Sequence, residues 1–237
     1  YCLAVVLVSL ALPMSVLSYW VIRGVSAGEP FVIFWQGLGN SLLVSAAAAI
    51  TTVLASIPVG ILIVRYPSRL GFLLERISYL GFALPGIVIG LTLVFFAVNF
   101  FIALYQTIVL LVFGYLVLFL PVALGVLRTS LRQINPRIEE AARTLQSSPV
   151  KLLTTIIFPL VRPGILGGLA LVFLLTMKEL PATLILAPIG FGTLATSVWA
   201  ASSEAFFARA AVPALLLILA SSVPLAFLTL RERSDQR

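Results

Sequence analysis

The feature that most limits how this chain can fold is the length of its uncharged runs. One run extends over 51 residues from Ile77 to Leu127, and another extends over 35 residues from Pro30 to Val64. A helix needs about 20 apolar residues to cross the hydrocarbon core of a bilayer. Only 10% of the 237 residues are charged, whereas a soluble protein carries roughly 25%, and the mean hydropathy is +1.18. The sequence therefore predicts an integral membrane protein.

Six apolar segments are long enough to cross the membrane. Because unpaired backbone groups are costly in lipid, each is expected to be an α-helix, so the predicted fold class is an all-α membrane protein. Asn40 is expected to cap the second span. A cleaved signal peptide is the alternative interpretation of the first span, but no basic residue precedes it. The spans are predicted at residues 1–22, 41–64, two within 77–127 that turn near Asn99, 164–186, and 210–230.

The basic residues are distributed unevenly between the loops that this span assignment creates. Twelve of the 15 Lys and Arg fall between spans two and three, between spans four and five, or after span six. Because cytoplasmic loops are enriched in Lys and Arg, both termini and these two loops are predicted to be cytoplasmic. The net charge of +7 thus indicates membrane topology, and no nucleic-acid partner is expected.

The composition argues against catalysis within this chain. It contains no His, one Cys and two Met, which excludes His-dependent catalytic triads and internal disulfides. We expect no catalytic residue, no metal site and no cofactor. The P-loop pattern G-x-x-x-x-G-K-[ST] is absent from the sequence, so any use of ATP requires a partner protein.

The stretch between spans four and five, residues 128–162, is the longest charged segment. It reads RTSLRQINPRIEEAARTLQSSPVKLLTTIIFPLVR. Pro136 can open one short helix, and Ser148 followed by Pro149 is typical of a second helix start. The segment is therefore predicted to form two short helices that meet at a corner near Gln146. On this evidence alone it could also be a solvated basic loop on anionic lipid.

Within that stretch, EAARTLQSSPVKLLTTIIFP resembles the EAA loop of ABC-importer permeases, a family of membrane transport subunits. Glu140, Ala141 and Ala142 match its opening, and Ile156 and Pro159 match its end at the family's spacing. Two positions depart from the family pattern, since Gln146 replaces a Gly and Phe158 replaces the usual Leu.

The resemblance implies a type I (MetI-like) permease fold with six helices, in which the loop docks on a cytoplasmic ABC ATPase dimer. It also implies a second permease unit and a soluble substrate-binding protein as partners, in a bacterial inner membrane. Small side chains at Ala141 and Ala142 permit close approach of two surfaces. The residues expected to couple the chain to the ATPase are Glu139, Glu140, Ala141, Ala142, Gln146, Ser148, Pro149, Ile156 and Pro159.

Span five contains two charges and a proline, Lys178, Glu179 and Pro181. Placing a Lys within a membrane span costs roughly 2.5–3.5 kcal/mol, and such a residue usually faces an aqueous path or a bundle interior. A Pro removes a backbone hydrogen bond from a helix. We predict that these residues line or gate a translocation path near its outer end. The alternative is that Lys178 extends to the outer interface.

The segment TMKELPATLIL, with GTLATSVW and AFFARAAVPALLL after it, resembles the ferric-iron branch of these permeases. The implied cargo is ferric iron, and related permeases for sulfate, phosphonate, polyamine or thiamine remain alternatives. The whole chain, residues 1–237, is interpreted as one permease unit, the C-terminal half of a longer protein with two units. A secondary transporter is a further alternative, but no internal repeat is visible.

Overall fold

A computed structural model describes residues 1–28, 34–135, 138 and 153–235, and all the regular elements within these ranges are helices. The all-α prediction is therefore confirmed for this part of the chain. The nine α-helices described are α1 (Cys2–Ser26), α2 (Phe34–Arg65), α3 (Arg69–Ala83), α4 (Gly86–Phe100), α5 (Ile108–Gln133), α6 (Phe158–Met177), α7 (Pro181–Leu186), α8 (Leu194–Ser203) and α9 (Phe207–Asp235). A 3₁₀ turn at Ile102–Leu104 precedes α5, and a π-helix at Leu153–Ile157 leads into α6.

Five described helices, namely α1, α2, α5, α6 and α9, are long and apolar enough to cross a membrane. The pair α3 and α4 is bent by 107° and makes a sixth span if the two are counted together. This agrees with the predicted number of spans. Span three, however, is broken at Leu84 and Pro85 rather than continuous, because Pro disfavours helical conformation in the residue before it.

Two predicted helix boundaries were wrong. The second span does not begin after Asn40, because α2 starts at Phe34 and the Asn40 side chain donates to the carbonyl of Gly192 (2.9 Å) instead of capping a helix. Span five, predicted at residues 164–186, is instead α6 followed by the separate six-residue helix α7. The region after it contains α8, whose N-cap Thr193 forms a reciprocal capping box with Thr196.

Helices α2, α5 and α6 form the centre of the bundle and make its most extensive helix contacts. The face of α2 toward these neighbours carries small residues, and several of its buried positions are polar. Small side chains let helix backbones approach closely in a membrane, where packing rather than the hydrophobic effect holds helices together. The buried residues on this face are Ser41, Val44, Ser45, Ala48, Ala49, Thr52, Val53 and Ser56.

Helix α3 lies against α5 through an ion pair and a close backbone approach. Glu75 on α3 pairs with Arg128 near the end of α5, and both side chains are about three-quarters buried. Further along α3, Gly81 packs against the backbone of Val117 so closely that a Cβ atom would overlap the Val117 carbonyl oxygen. These contacts set the course of α3, and they place the break that follows it beside the middle of α5.

Candidate functional site

The predicted gate residues lie at a break between two helices. Lys178 is the C-cap of α6 and is exposed, and Pro181 is the first residue of α7. Glu179 is half-buried, and its Oε1 accepts a hydrogen bond from the backbone N–H of Ala182 (3.0 Å). The carboxylate thus satisfies one of the N–H groups that have no partner within the first turn of a helix. Lys178 was predicted within a span, whereas it follows the last residue of the spanning helix.

The α3–α4 break lies directly opposite this α6–α7 break. A Cβ atom on Gly86, the first residue of α4, would lie 2.7 Å from Oε1 of Glu179. One turn later, Gly90 packs against the side chain of Ile185 on α7, with a Cβ position 3.1 Å from the Ile185 Cβ. The absence of side chains at these two positions lets α4 rest on α7. Two breaks that are far apart in sequence, at residues 84–85 and 178–180, therefore form one junction.

A chain of buried hydroxyl groups connects this junction to α5. The Tyr115 hydroxyl lies 2.6 Å from Thr183 Oγ1, and Thr183 Oγ1 lies 2.6 Å from the carbonyl oxygen of Glu179. Tyr115 is 1% exposed and Thr183 is fully buried. Neither residue could be identified from the sequence, because a single Tyr in an apolar run and a Thr in a short helix carry no motif. Gly86 was not predicted either, although a Pro-Gly pair is a typical turn signal.

Most of the predicted coupling residues, Glu139, Glu140, Ala141, Ala142, Gln146, Ser148 and Pro149, lie outside the described residues. The two that the structure describes, Ile156 and Pro159, are near the start of α6. Ile156 is partly buried against a cluster at the ends of α5 and α6 that includes Leu131, Ile134 and Val161. Pro159 lies in the first turn of α6, directly after the π-helix, and is exposed. Thus the end of the motif is anchored in the bundle.

Apolar spanning helices with two facing breaks are typical of helical membrane proteins that transport solutes, since interrupted helices are common at transporter binding sites. The family described as "Binding-protein-dependent transport system inner membrane component" matches residues 53–234. The chain belongs to this family. The match includes the whole of residues 128–162, and the resemblance to ABC-importer permeases is thereby confirmed.

Individual relatives agree with this assignment. The chain is 38% identical over 228 residues to the Fe(3+)-transport system permease protein FbpB 2 of Haemophilus influenzae. This alignment covers 95% of this chain and 45% of that protein. The chain is also 33% identical over 161 residues to the molybdenum transport system permease protein ModB of the same organism, covering 61% of this chain and 70% of that protein. The chain therefore spans less than half of the ferric relative.

Among solved structures, the inward-facing MetNI methionine ABC transporter matches with a TM-score of 0.70. The match covers 88% of this chain and 99% of the transporter chain, at 17% sequence identity. At this identity the likeness concerns the fold, and it confirms the predicted type I (MetI-like) permease architecture.

Proposed function

We propose that this chain is a permease unit of an ATP-driven importer that carries ferric iron, delivered by a soluble binding protein, across a bacterial inner membrane. The observation that carries the proposal is the junction of the two helix breaks, which brings a charged and interrupted segment of α6–α7 against the start of α4. The similarity to a ferric permease over nearly the whole chain supports iron as the cargo. The similarity to a molybdenum permease keeps an oxyanion as the second candidate.

In this proposal the permease passes the cargo on, and a partner supplies the energy. Two ATPase subunits close on ATP and move the segment between α5 and α6, which acts through its end at Ile156, packed against the ends of these two helices. That motion switches the permease between inward and outward access, so ATP and cargo must favour different conformations. The basic loops and both termini face the cytoplasm in this arrangement, as the positive-inside rule predicts.

One unit of this size forms half of the pathway. Since the chain spans 45% of the ferric relative, we propose that a second unit precedes it in the same protein. The broadly exposed apolar residues of α4, among them Phe95, Phe96 and Phe100, are available to lipid or to that unit. The sequence upstream of residue 1 is expected to contain a unit of similar size with its own EAA loop. An initiator Met immediately upstream would instead require a homodimer or a heterodimer.

The proposed function is tested by reconstituting the complete permease with its ATPase and its binding protein in proteoliposomes. We expect ATP hydrolysis and radioactive iron uptake to rise only when the binding protein carries ferric iron. Stimulation by a molybdate-loaded binding protein, with none by ferric iron, would transfer the assignment to the oxyanion class. Uptake that proceeds without the ATPase would favour a secondary transporter.

Replacing Lys178 by Ala is expected to lower iron uptake about fivefold, without lowering the amount of permease in the membrane. Lys178 is the C-cap of α6, and a positive charge at the C-terminal end of a helix is favourable by up to about 1 kcal/mol. Uptake per permease molecule in proteoliposomes is the measurement, and Lys178→Arg, which keeps the charge, is the control and should transport normally. Wild-type uptake in Lys178→Ala would favour extension of this side chain to the outer interface.

A further inference from the structure

The hydroxyl chain at the junction has a defined direction. Thr183 has one hydroxyl proton, and its Oγ1 donates that proton to the carbonyl of Glu179. The Tyr115 hydroxyl must therefore donate to Thr183 Oγ1, 2.6 Å away. Both bonds are shielded from solvent, since Tyr115 and Thr183 are almost completely buried. The connection runs from α5 through α7 to the break that contains Glu179.

These bonds join parts of the protein that differ in how firmly they are held. Tyr115 belongs to α5, which packs on both α2 and α6 in the centre of the bundle. Helix α7 has only six residues, with a non-helical segment on each side, and its contacts are with α4 and α5. A helix this short has little stability of its own. Its position therefore depends on contacts with its neighbours.

Glu179 connects the same segment to α4. Its Oε1 accepts from Ala182 N–H on α7 and lies against Gly86 at the start of α4. A Cβ atom at position 86 would occupy the space of the carboxylate oxygen, so Gly86 leaves room for the Glu179 carboxylate against the start of α4. Movement of α7 would therefore also move Glu179, whose carboxylate is bonded to Ala182 and whose carbonyl is bonded to Thr183.

We infer that Tyr115, Thr183 and Gly86 are positioning residues of the gate, and that the Tyr115–Thr183–Glu179 chain holds the α6–α7 break against the α3–α4 break in one of the transporter's two states. This inference rests on the proposed function. We refer to these four residues, Tyr115, Thr183, Glu179 and Gly86, as the junction latch. The latch consists of hydrogen bonds between neutral groups together with one carboxylate. Each bond between neutral groups contributes little net stability, so it can be broken and re-formed during a transport cycle.

The test measures how often α7 separates from the bundle in the complete transporter in membranes. Leu186, on α7, is 1% exposed and packs against Gly114 of α5. Cys2→Ser removes the one thiol of this chain, and any Cys in the rest of the transporter is replaced as well. In this background Leu186→Cys supplies a reporter whose reaction rate with a water-soluble thiol reagent reports this separation. Because the assay needs no cargo, it gives a result even if iron is not the substrate.

Thr183→Val keeps the side-chain shape and removes both hydroxyl bonds, and we expect it to raise the reporter's reaction rate about tenfold, the size of change that loss of buried hydrogen bonds produces. Tyr115→Phe should raise the rate in the same direction. Because both changes remove the same bond, the double variant should react no faster than Thr183→Val alone. Thr183→Ser, which retains the hydroxyl, should restore the wild-type rate.

The matched control is Thr176→Val. Thr176 is also a buried Thr near the break, but its hydroxyl bonds to the Val172 carbonyl within its own helix, so its loss should leave the reporter rate unchanged. The latch is overturned if Thr183→Val and Tyr115→Phe react at the wild-type rate, or if Thr176→Val raises the rate equally. If the latch variants respond as expected but ferric iron fails to stimulate the transporter, the cargo assignment fails and the latch stands.

Discussion

Replacing Glu140 by Lys is expected to abolish ATP-driven uptake while the permease remains folded in the membrane. Glu140 opens the motif EAARTLQSSPVKLLTTIIFP, which resembles the loop that docks on an ATPase subunit. A reversed charge at a docked interface leaves the partner's group unpaired and adds repulsion, which costs about 2–5 kcal/mol. We therefore expect uptake to fall about 100-fold or more. Co-purification of the ATPase with the permease, together with uptake in proteoliposomes, measures the effect.

A second Glu→Lys change provides the control for this experiment. Glu204 is exposed at the end of α8, in a loop that the charge distribution assigns to the opposite side of the membrane from residue 140. Glu204→Lys makes the same change of net charge and should retain ATPase binding and uptake. If Glu140→Lys bound the ATPase and transported as the wild type does, the docking role of the loop would be wrong.

Gly81→Ala is expected to destabilise the permease, although Ala is normally the better helix residue by about 1 kcal/mol. The added Cβ would overlap the carbonyl oxygen of Val117, and a backbone atom cannot rotate out of the way. Helix α3 would have to move away from α5, which weakens the Glu75–Arg128 pair as well. Overpacking of this kind costs about 1–3 kcal/mol. We expect a lower Tm, by a few degrees, in thermal unfolding of the purified protein in detergent.

Gly39→Ala is the matched comparison, because Gly39 lies in helix α2 with no atom within 4 Å of the position its Cβ would take. Here the helical preference of Ala acts without a clash, so the Tm should stay the same or rise. The close approach of α3 to α5 would be refuted by a Gly81→Ala protein that is as stable as the Gly39→Ala protein.

The number of spans and their helical form could be predicted from the sequence. A long apolar run indicates a span, and a span must be helical because unpaired backbone groups are costly in lipid. Long uncharged runs between basic loops indicated the spans whichever contacts the helices make. Lys178, Glu179 and Pro181 could be predicted as site residues from composition as well, since charges and a Pro are conspicuous in an apolar segment. The helix break at these residues is consistent with that prediction, although their role in transport remains a proposal.

The errors arose where a residue's partner is distant in sequence. Asn40 is typical of a helix start, yet it lies inside α2, and its side chain donates to the carbonyl of Gly192, just before α8. Nearby, Ser41 Oγ accepts from the N–H of Leu194 (2.8 Å). These contacts cross about 150 residues, so local pattern carries no sign of them. Tyr115 was missed for the same reason, because its importance depends on Thr183.

The way α1 packs has a consequence for how the protein is made. Within the described residues, the main helix partner of α1 is α9, which it meets through Trp20 against Phe207 and Gly24 against Ala208. The ribosome makes α1 at the start of this segment and α9 at its end, so α1 must wait in the bilayer through the synthesis of every helix between them. Most of its apolar side chains are exposed, and its backbone bonds are satisfied within the helix. It can therefore persist alone in lipid, and its docking on α9 completes assembly.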